Sequence, residues 1–102
     1  MNMEQMMREA KRMQSKIENI RKEAGDKTVE GSAGGGMVTV VCNGRSEIQA
    51  VKIEKEVVDP EEIELLQDLI AAATNQAITR ANEMMQSELS KVTGGMSVPG
   101  LF

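Results

Sequence analysis

The chain has 102 residues, enough for one domain, and carries 12 Lys and Arg against 16 Asp and Glu, for a formal charge of −4. It has no His and a single Cys, so an intramolecular disulfide is excluded and the commonest general base and metal ligand is missing; Cys42 has no imidazole to activate it and reads as a small buried strand residue. Phe102 is the one aromatic residue, and nine Met residues take the place that rings fill in other cores.

Residues 1–25 are expected to form the first helix. Met3, Met6, Ala10, Met13, Ile17, Ile20 and Ala24 recur in steps of three and four, an a/d seam with no Pro or Gly inside it, and Gly25 stands where a helix stop belongs. The opening residues are polar and lack the apolar stretch of a secretory signal. The longest apolar run, residues 69–73, is too short to span a bilayer, so a cytoplasmic chain with no membrane partner is expected.

Residues 26–58 are expected to form an antiparallel meander of about three strands. A short strand is predicted around Lys27 to Glu30, followed by a flexible hairpin loop through Gly31-Ser32-Ala33-Gly34-Gly35-Gly36. The other reading of such glycines is a phosphate cradle. However, Met37-Val38 follows them where a Walker loop needs Lys and Ser or Thr, and the run enters a strand rather than a helix. Met37 to Cys42 is β-branched and apolar, and Asn43-Gly44 then signals a two-residue hairpin with both residues at positive φ. In the returning strand the apolar positions change parity between Ile48, Ala50 and Val51, Ile53, which predicts a β-bulge near Ala50.

Residues 59–92 are expected to form the second helix, with Asp59 as N-cap, Pro60 at N1 and Glu62 at N3. Its first half is apolar over a broad arc, suited to covering the sheet. Its second half narrows to Ile78, Ala81, Met85, Leu89 and Val92. Residues 93–102 are expected to be a tail; Met96, Val98, Leu101 and Phe102 make it apolar enough to dock.

The fold class is therefore α+β, a single domain of helix, small antiparallel sheet and helix. Narrow seams are left over on both helices, which predicts a homodimer with Met6, Ala10, Met13, Ile17, Ile20, Ile78, Ala81 and Met85 at its interface; the alternative is a monomer in which the two helices pack on each other as an intramolecular hairpin. Charge is polarised: residues 1–24 carry six Lys and Arg against four Glu, whereas residues 59–102 carry two basic against seven acidic side chains. Arg8, Lys11, Arg12 and Lys16 share a face of the first helix away from most of the Met and Ile seam, and Lys22, with Arg21 beside it, extends that patch. Such a patch either contacts phosphates or is simply a solvated face, since Glu4, Glu9, Glu18 and Glu23 partly neutralise it.

Several stretches together resemble the YbaB/EbfC family of nucleoid-associated proteins across nearly the whole chain. They are Met13-Gln14, Gly34-Gly35-Gly36-Met37-Val38-Thr39-Val40, Asn43-Gly44, Val51-Lys52-Ile53, the run from Leu65-Leu66-Gln67-Asp68-Leu69 to Asn75-Gln76-Ala77, Gly94-Gly95-Met96, and Pro99-Gly100-Leu101-Phe102. The sequence departs from the family in lacking a Gly-rich leader and in the segment Glu54-Lys55-Glu56-Val57-Val58. The resemblance implies a bacterial, cytoplasmic, nucleoid-associated homodimer whose protruding helices act like tweezers on double-stranded DNA and alter its conformation. No enzyme activity, cofactor, metal or small-molecule substrate is expected. With so few rings for stacking and no helix-turn-helix, neither single-strand binding nor strong base readout is expected. The alternative is a protein-interaction adaptor using the Met-rich seams.

Overall fold

A computed structural model describes residues 2–92 of the chain. The elements follow in the order α1 (Met3–Asp26), β1 (Thr28–Ala33), β2 (Val38–Asn43), β3 (Ile48–Ile53), a single 3-10 turn (Lys55–Val57) and α2 (Ile63–Ser90). The expected α+β order is present. The tail expected over residues 93–102 lies outside the described residues.

The three strands form an antiparallel meander in the order β1-β2-β3. Cross-strand partners share a face, so the register sets three inward rows: Val29–Cys42–Ile48, Gly31–Val40–Val51 and Ala33–Val38–Ile53. In β2, Val38, Val40 and Cys42 are completely buried and form the centre of the core with Ala73, Ala77 and Ala81 of α2. The pairing shifts between Val41 and Cys42, which leaves Gln49 as the extra residue of a bulge beside Ala50, where the parity change puts it.

α2 lies on this face and runs against the direction of β1. Gln76 accepts a hydrogen bond from the Ser32 amide at 2.7 Å, Arg80 donates to the Glu30 carbonyl at 2.8 Å, and Glu88 meets Lys27 at 3.3 Å. These contacts close the outer edge of β1. They also explain why the first strand runs three residues further than expected, through Gly31-Ser32-Ala33. A Cβ on Gly31 would collide with the backbone of Ala73 and Ala77, so this glycine is a packing surface for the helix and no part of a loop. The loop keeps Gly34, Gly35 and Gly36, all at positive φ.

α2 covers β1 and β2 but leaves β3 clear. A helix about 10 Å across spans roughly two strands spaced about 4.8 Å apart, so the expectation that one helix would cover the whole sheet fails on width. Ile48, Val51 and Ile53 consequently remain 39–46% exposed, although their partners Cys42, Val40 and Val38 are fully buried.

Two other local expectations are corrected. The Asn43-Gly44 hairpin is longer than two residues. Asn43 and Glu47 close it, and positive φ falls on Ser46. Asn43 Oδ1 accepts from the amides of Arg45 and Glu47 at 2.9 and 3.0 Å, and its Nδ2 donates to Glu47 at 2.8 Å. The second helix begins at Ile63, not at Asp59. Asp59 accepts from the Glu62 amide through its carbonyl and from the Glu61 amide through its side chain, closing a turn, while Glu62 at ψ 40° breaks the helical path. The 3-10 turn before it was not expected, and it sinks Val57 into the core.

Candidate nucleic-acid interface

α1 leads into β1, and α2 continues past the start of β1 onto the last turns of α1. Burial on α1 follows this overlap. Ala24 and Gly25 are buried, Ile17 and Ile20 are half-buried, and every residue from 2 to 16 is exposed. The outer part of α1 is thus a bare helical prong of about 22 Å, at 1.5 Å per residue. The whole molecule is 70 Å long and 20 Å across.

The prong is started by its own sequence. Asn2 Oδ1 accepts from the Gln5 amide at 2.8 Å and Gln5 Oε1 accepts from the Asn2 amide at 3.4 Å, a capping box spelled Asn2-x-x-Gln5 that the apolar seam overshadows in the sequence. Arg8, Lys11, Arg12 and Lys16 are all exposed on it and take part in no ion pair among the described residues. The helix spacing brings them to one side, away from the Met stripe, where phosphate oxygens can reach them; Glu9 lies beside Arg8 and Arg12 on the same side.

At the foot of the prong the β2–β3 hairpin is clamped to the end of α1. The Gly44 amide lies within bonding distance of the carbonyls of Gly25 and Lys27, at 3.2 and 3.0 Å, and a Cβ on Gly44 would strike the Ala24 carbonyl. Gly25 is helical rather than a stop residue. It is small because the Arg45 side chain lies across it. Arg45 binds Asp26 at 2.9 Å and Glu47 at 3.1 Å. Its hydrogen bonds to these carboxylates hold the guanidinium charged, and the Glu47 carboxyl is lowered, first by the Asn43 amide and then by Arg45. A groove of about 460 Å³ opens here, lined by Arg21, Lys22, Gly44, Arg45, Ser46 and Met85. Lys22 thus lies at the foot of the prong, beside Arg45 and the hairpin. Arg45 was missed because it reaches the patch through the hairpin clamp, which leaves no local signal in the sequence.

The residues expected at a subunit interface divide. Met6, Ala10 and Met13 are exposed on the prong. Ile17, Ile20, Ile78 and Met85 are half-buried within the chain, and Ala81 is fully buried in its core. Cys42 is also in the core, and burial first, then the Glu47 charge, pushes its thiol above the ordinary value. Among the described residues no group of three or more His, Cys, Asp or Glu could hold a metal, and no helix is long and apolar enough to cross a membrane.

A model of the YbaB/EbfC DNA-binding family matches residues 1–96. Proteins named nucleoid-associated protein are similar over almost the full length. One from Acetivibrio thermocellus is 50% identical over 102 residues, covering 99% of this chain and 90% of its own. One from Bacillus thuringiensis is 50% identical over 99 residues, covering 97% and 91%. The crystal structure of an uncharacterised Helicobacter pylori protein superposes with a TM-score of 0.79 at 22% identity, over 92% of this chain and 99% of that one, which shows the shared fold.

Proposed function

The chain belongs to the YbaB/EbfC DNA-binding family, and on that premise we propose that it is a nucleoid-associated protein that binds double-stranded DNA as a homodimer, through phosphate contacts, and changes the path of the duplex. The observation that carries the reading is the bare prong: Arg8, Lys11, Arg12 and Lys16 are exposed on one helix with no ion pair among the described residues, they outnumber the prong's Glu4 and Glu9, and most of the chain's acidic side chains lie elsewhere. Net negative charge does not oppose this, because phosphates respond to the local field of the prong, and distant carboxylates are screened within about 10 Å at 0.1 M salt.

The second copy joins at β3. The outer edge of β1 is closed by Gln76 and Arg80, whereas β3 has an open edge and an uncovered apolar row of Ile48, Val51 and Ile53. An exposed edge strand with an apolar face is a template for strand pairing unless another chain occupies it. Two-fold pairing there leaves both prongs free and doubles the basic stripe. Bending follows if the two prongs engage phosphates that a straight duplex does not bring into reach at the same time.

Replacing Arg8, Lys11, Arg12 and Lys16 together by Ala tests the reading. Binding should weaken by on the order of 10³ on unrelated duplexes alike, with the fold unchanged, since phosphate contacts carry affinity but no sequence information. With about 8 contacts per dimer at about −0.9 each, log affinity should fall with log salt at a slope of roughly −7. A flat salt response, or full affinity in the fourfold variant, rules out the prong. Light scattering should return twice the 11.1 kDa chain mass, and Val51→Asp should halve it; a wild-type monomer rules out the dimer.

A further inference from the structure

The groove at the foot of the prong is walled by three elements: Arg21 and Lys22 from α1, the β2–β3 hairpin with Arg45, and Met85 from α2. The hairpin is fixed on both sides. The Gly44 amide ties it to the end of α1, and the Ser46 hydroxyl donates to Asn82 Oδ1 of α2 at 3.0 Å. We propose that this groove is a second seat for duplex DNA, taking a backbone phosphate between Lys22 and Arg45. The proposal rests on the phosphate reading of the prong and adds to it a contact from a different element.

Three observations carry it. First, no carboxylate lines the groove, and Lys22 takes part in no ion pair among the described residues. Second, Arg45 has donors to spare. Its Nε donates to Glu47 and its Nη2 to Asp26, whereas its Nη1 makes no hydrogen bond among the described residues, and the side chain is 47% exposed. The two carboxylates hold the guanidinium in place before a ligand arrives, so little side-chain freedom is lost on binding, and a guanidinium fork suits phosphate oxygens. Third, the position fits. Lys22 follows Lys11 by eleven residues, three helical turns, so the two share a side of α1 about 16 Å apart, with Glu18 as the carboxylate one turn before Lys22. That is too far for one phosphate to serve both and near enough for one duplex to touch both. A free anion would fill the groove alone and gain nothing from the prong.

Salt titrations of duplex binding with Lys22→Gln, Arg45→Gln and Arg45→Lys test the inference. All three should stay folded, since the ion pairs of Arg45 are exposed. Lys22→Gln and Arg45→Gln should each weaken binding about fivefold and make the log–log salt slope shallower by about 1.8, at about 0.9 per contact in each of two subunits. Only differences from the parent slope count, because the groove adds to the contacts of the prong. Arg45→Lys keeps a charge for phosphate but cannot fork between Asp26 and Glu47, so it should hold the parent slope. Parent affinity and slope in Lys22→Gln overturn the proposal. Equal losses in Arg45→Lys and Arg45→Gln also overturn it, since Arg45 would then act only by clamping the hairpin. If the fourfold Ala variant of the prong loses affinity and the groove variants do not, the groove alone falls; a parent chain that binds no duplex takes both readings with it.

Discussion

Two helix stripes in this chain have similar spacing and opposite surroundings. Ala73, Ala77 and Ala81 are completely buried against the sheet, while Met3, Met6 and Met13 stand in the open. The small side chains let α2 approach so closely that Gly31 takes the place of a side chain, and that half of the molecule closes on itself. The long, soft side chains of the prong stay exposed. Side-chain size, more than hydrophobicity, separates the part of the chain built for its own core from the part held out for others.

The sharpest way to break that contrast is at Gly31. Gly31→Ala puts a methyl group into the backbone of Ala73 and Ala77. Neither can yield without moving the helix, so the urea midpoint should fall by an equivalent of about 3 kcal/mol, the upper end for overpacking. Met6→Ala with Met13→Ala should leave the same midpoint within about 0.5 kcal/mol, as exposed positions usually do. Equal effects from the two would show that the prong is part of the cooperative unit.

Next in size is the joint between the two halves. Asn43 is 1% exposed, and its side chain holds two amides and the Glu47 carboxylate. Asn43→Ala leaves those groups unpaired at the edge of the core and should cost about 2 kcal/mol in urea unfolding. The loss should be felt on the prong side too, since the same hairpin clamps the end of α1 through Gly44. An unchanged midpoint would mean that water replaces the amide without penalty and that the clamp rests on Gly44 alone.

The order of elements, the meander, the bulge beside Ala50 and the basic face of α1 were legible because each depends on local chemistry or on period. The errors share a cause of another kind. Gly31 reads as a loop residue because glycine signals freedom in a one-dimensional sequence, whereas here it is set by a neighbouring backbone; Gly44 does lie in the turn, but it is kept small by the Ala24 carbonyl and not by the positive φ expected of it. Asp59-Pro60 reads as a helix start, yet the same residues make an equally good turn, and the break at Glu62 decides between them. The uncovered β3 could not be read at all. It follows from the width of one helix over three strands, and no residue in β3 records it. The seam of α1 was correct as a pattern, but the pattern does not say that α2 covers it only from Ile17 onward.

The smallest effect tests whether the joint also responds to acid. Glu47 and Glu88 both have carboxyls lowered from the ordinary 4.5, Glu47 by Asn43 and then Arg45, Glu88 by Lys91 and then Lys27. A carboxyl that is more acidic folded than unfolded binds its proton first in the unfolded chain. Its contribution is therefore fully present above about pH 4.5 and is lost as pH falls through the lowered folded value. Glu47 is exposed and Glu88 half-buried, and their Lys and Arg partners are exposed, so the ion pairs are largely screened and the drop should be shallow. Urea midpoints taken downward from pH 4.5 should decline less steeply in Glu47→Gln than in the parent chain, because the amide keeps an acceptor for Asn43 but has no proton to gain. If the two curves stay parallel, Glu47 is a neutral acceptor in the hairpin, and the hold of the sheet on the prong rests on the Asn43 and Gly44 hydrogen bonds without help from charge.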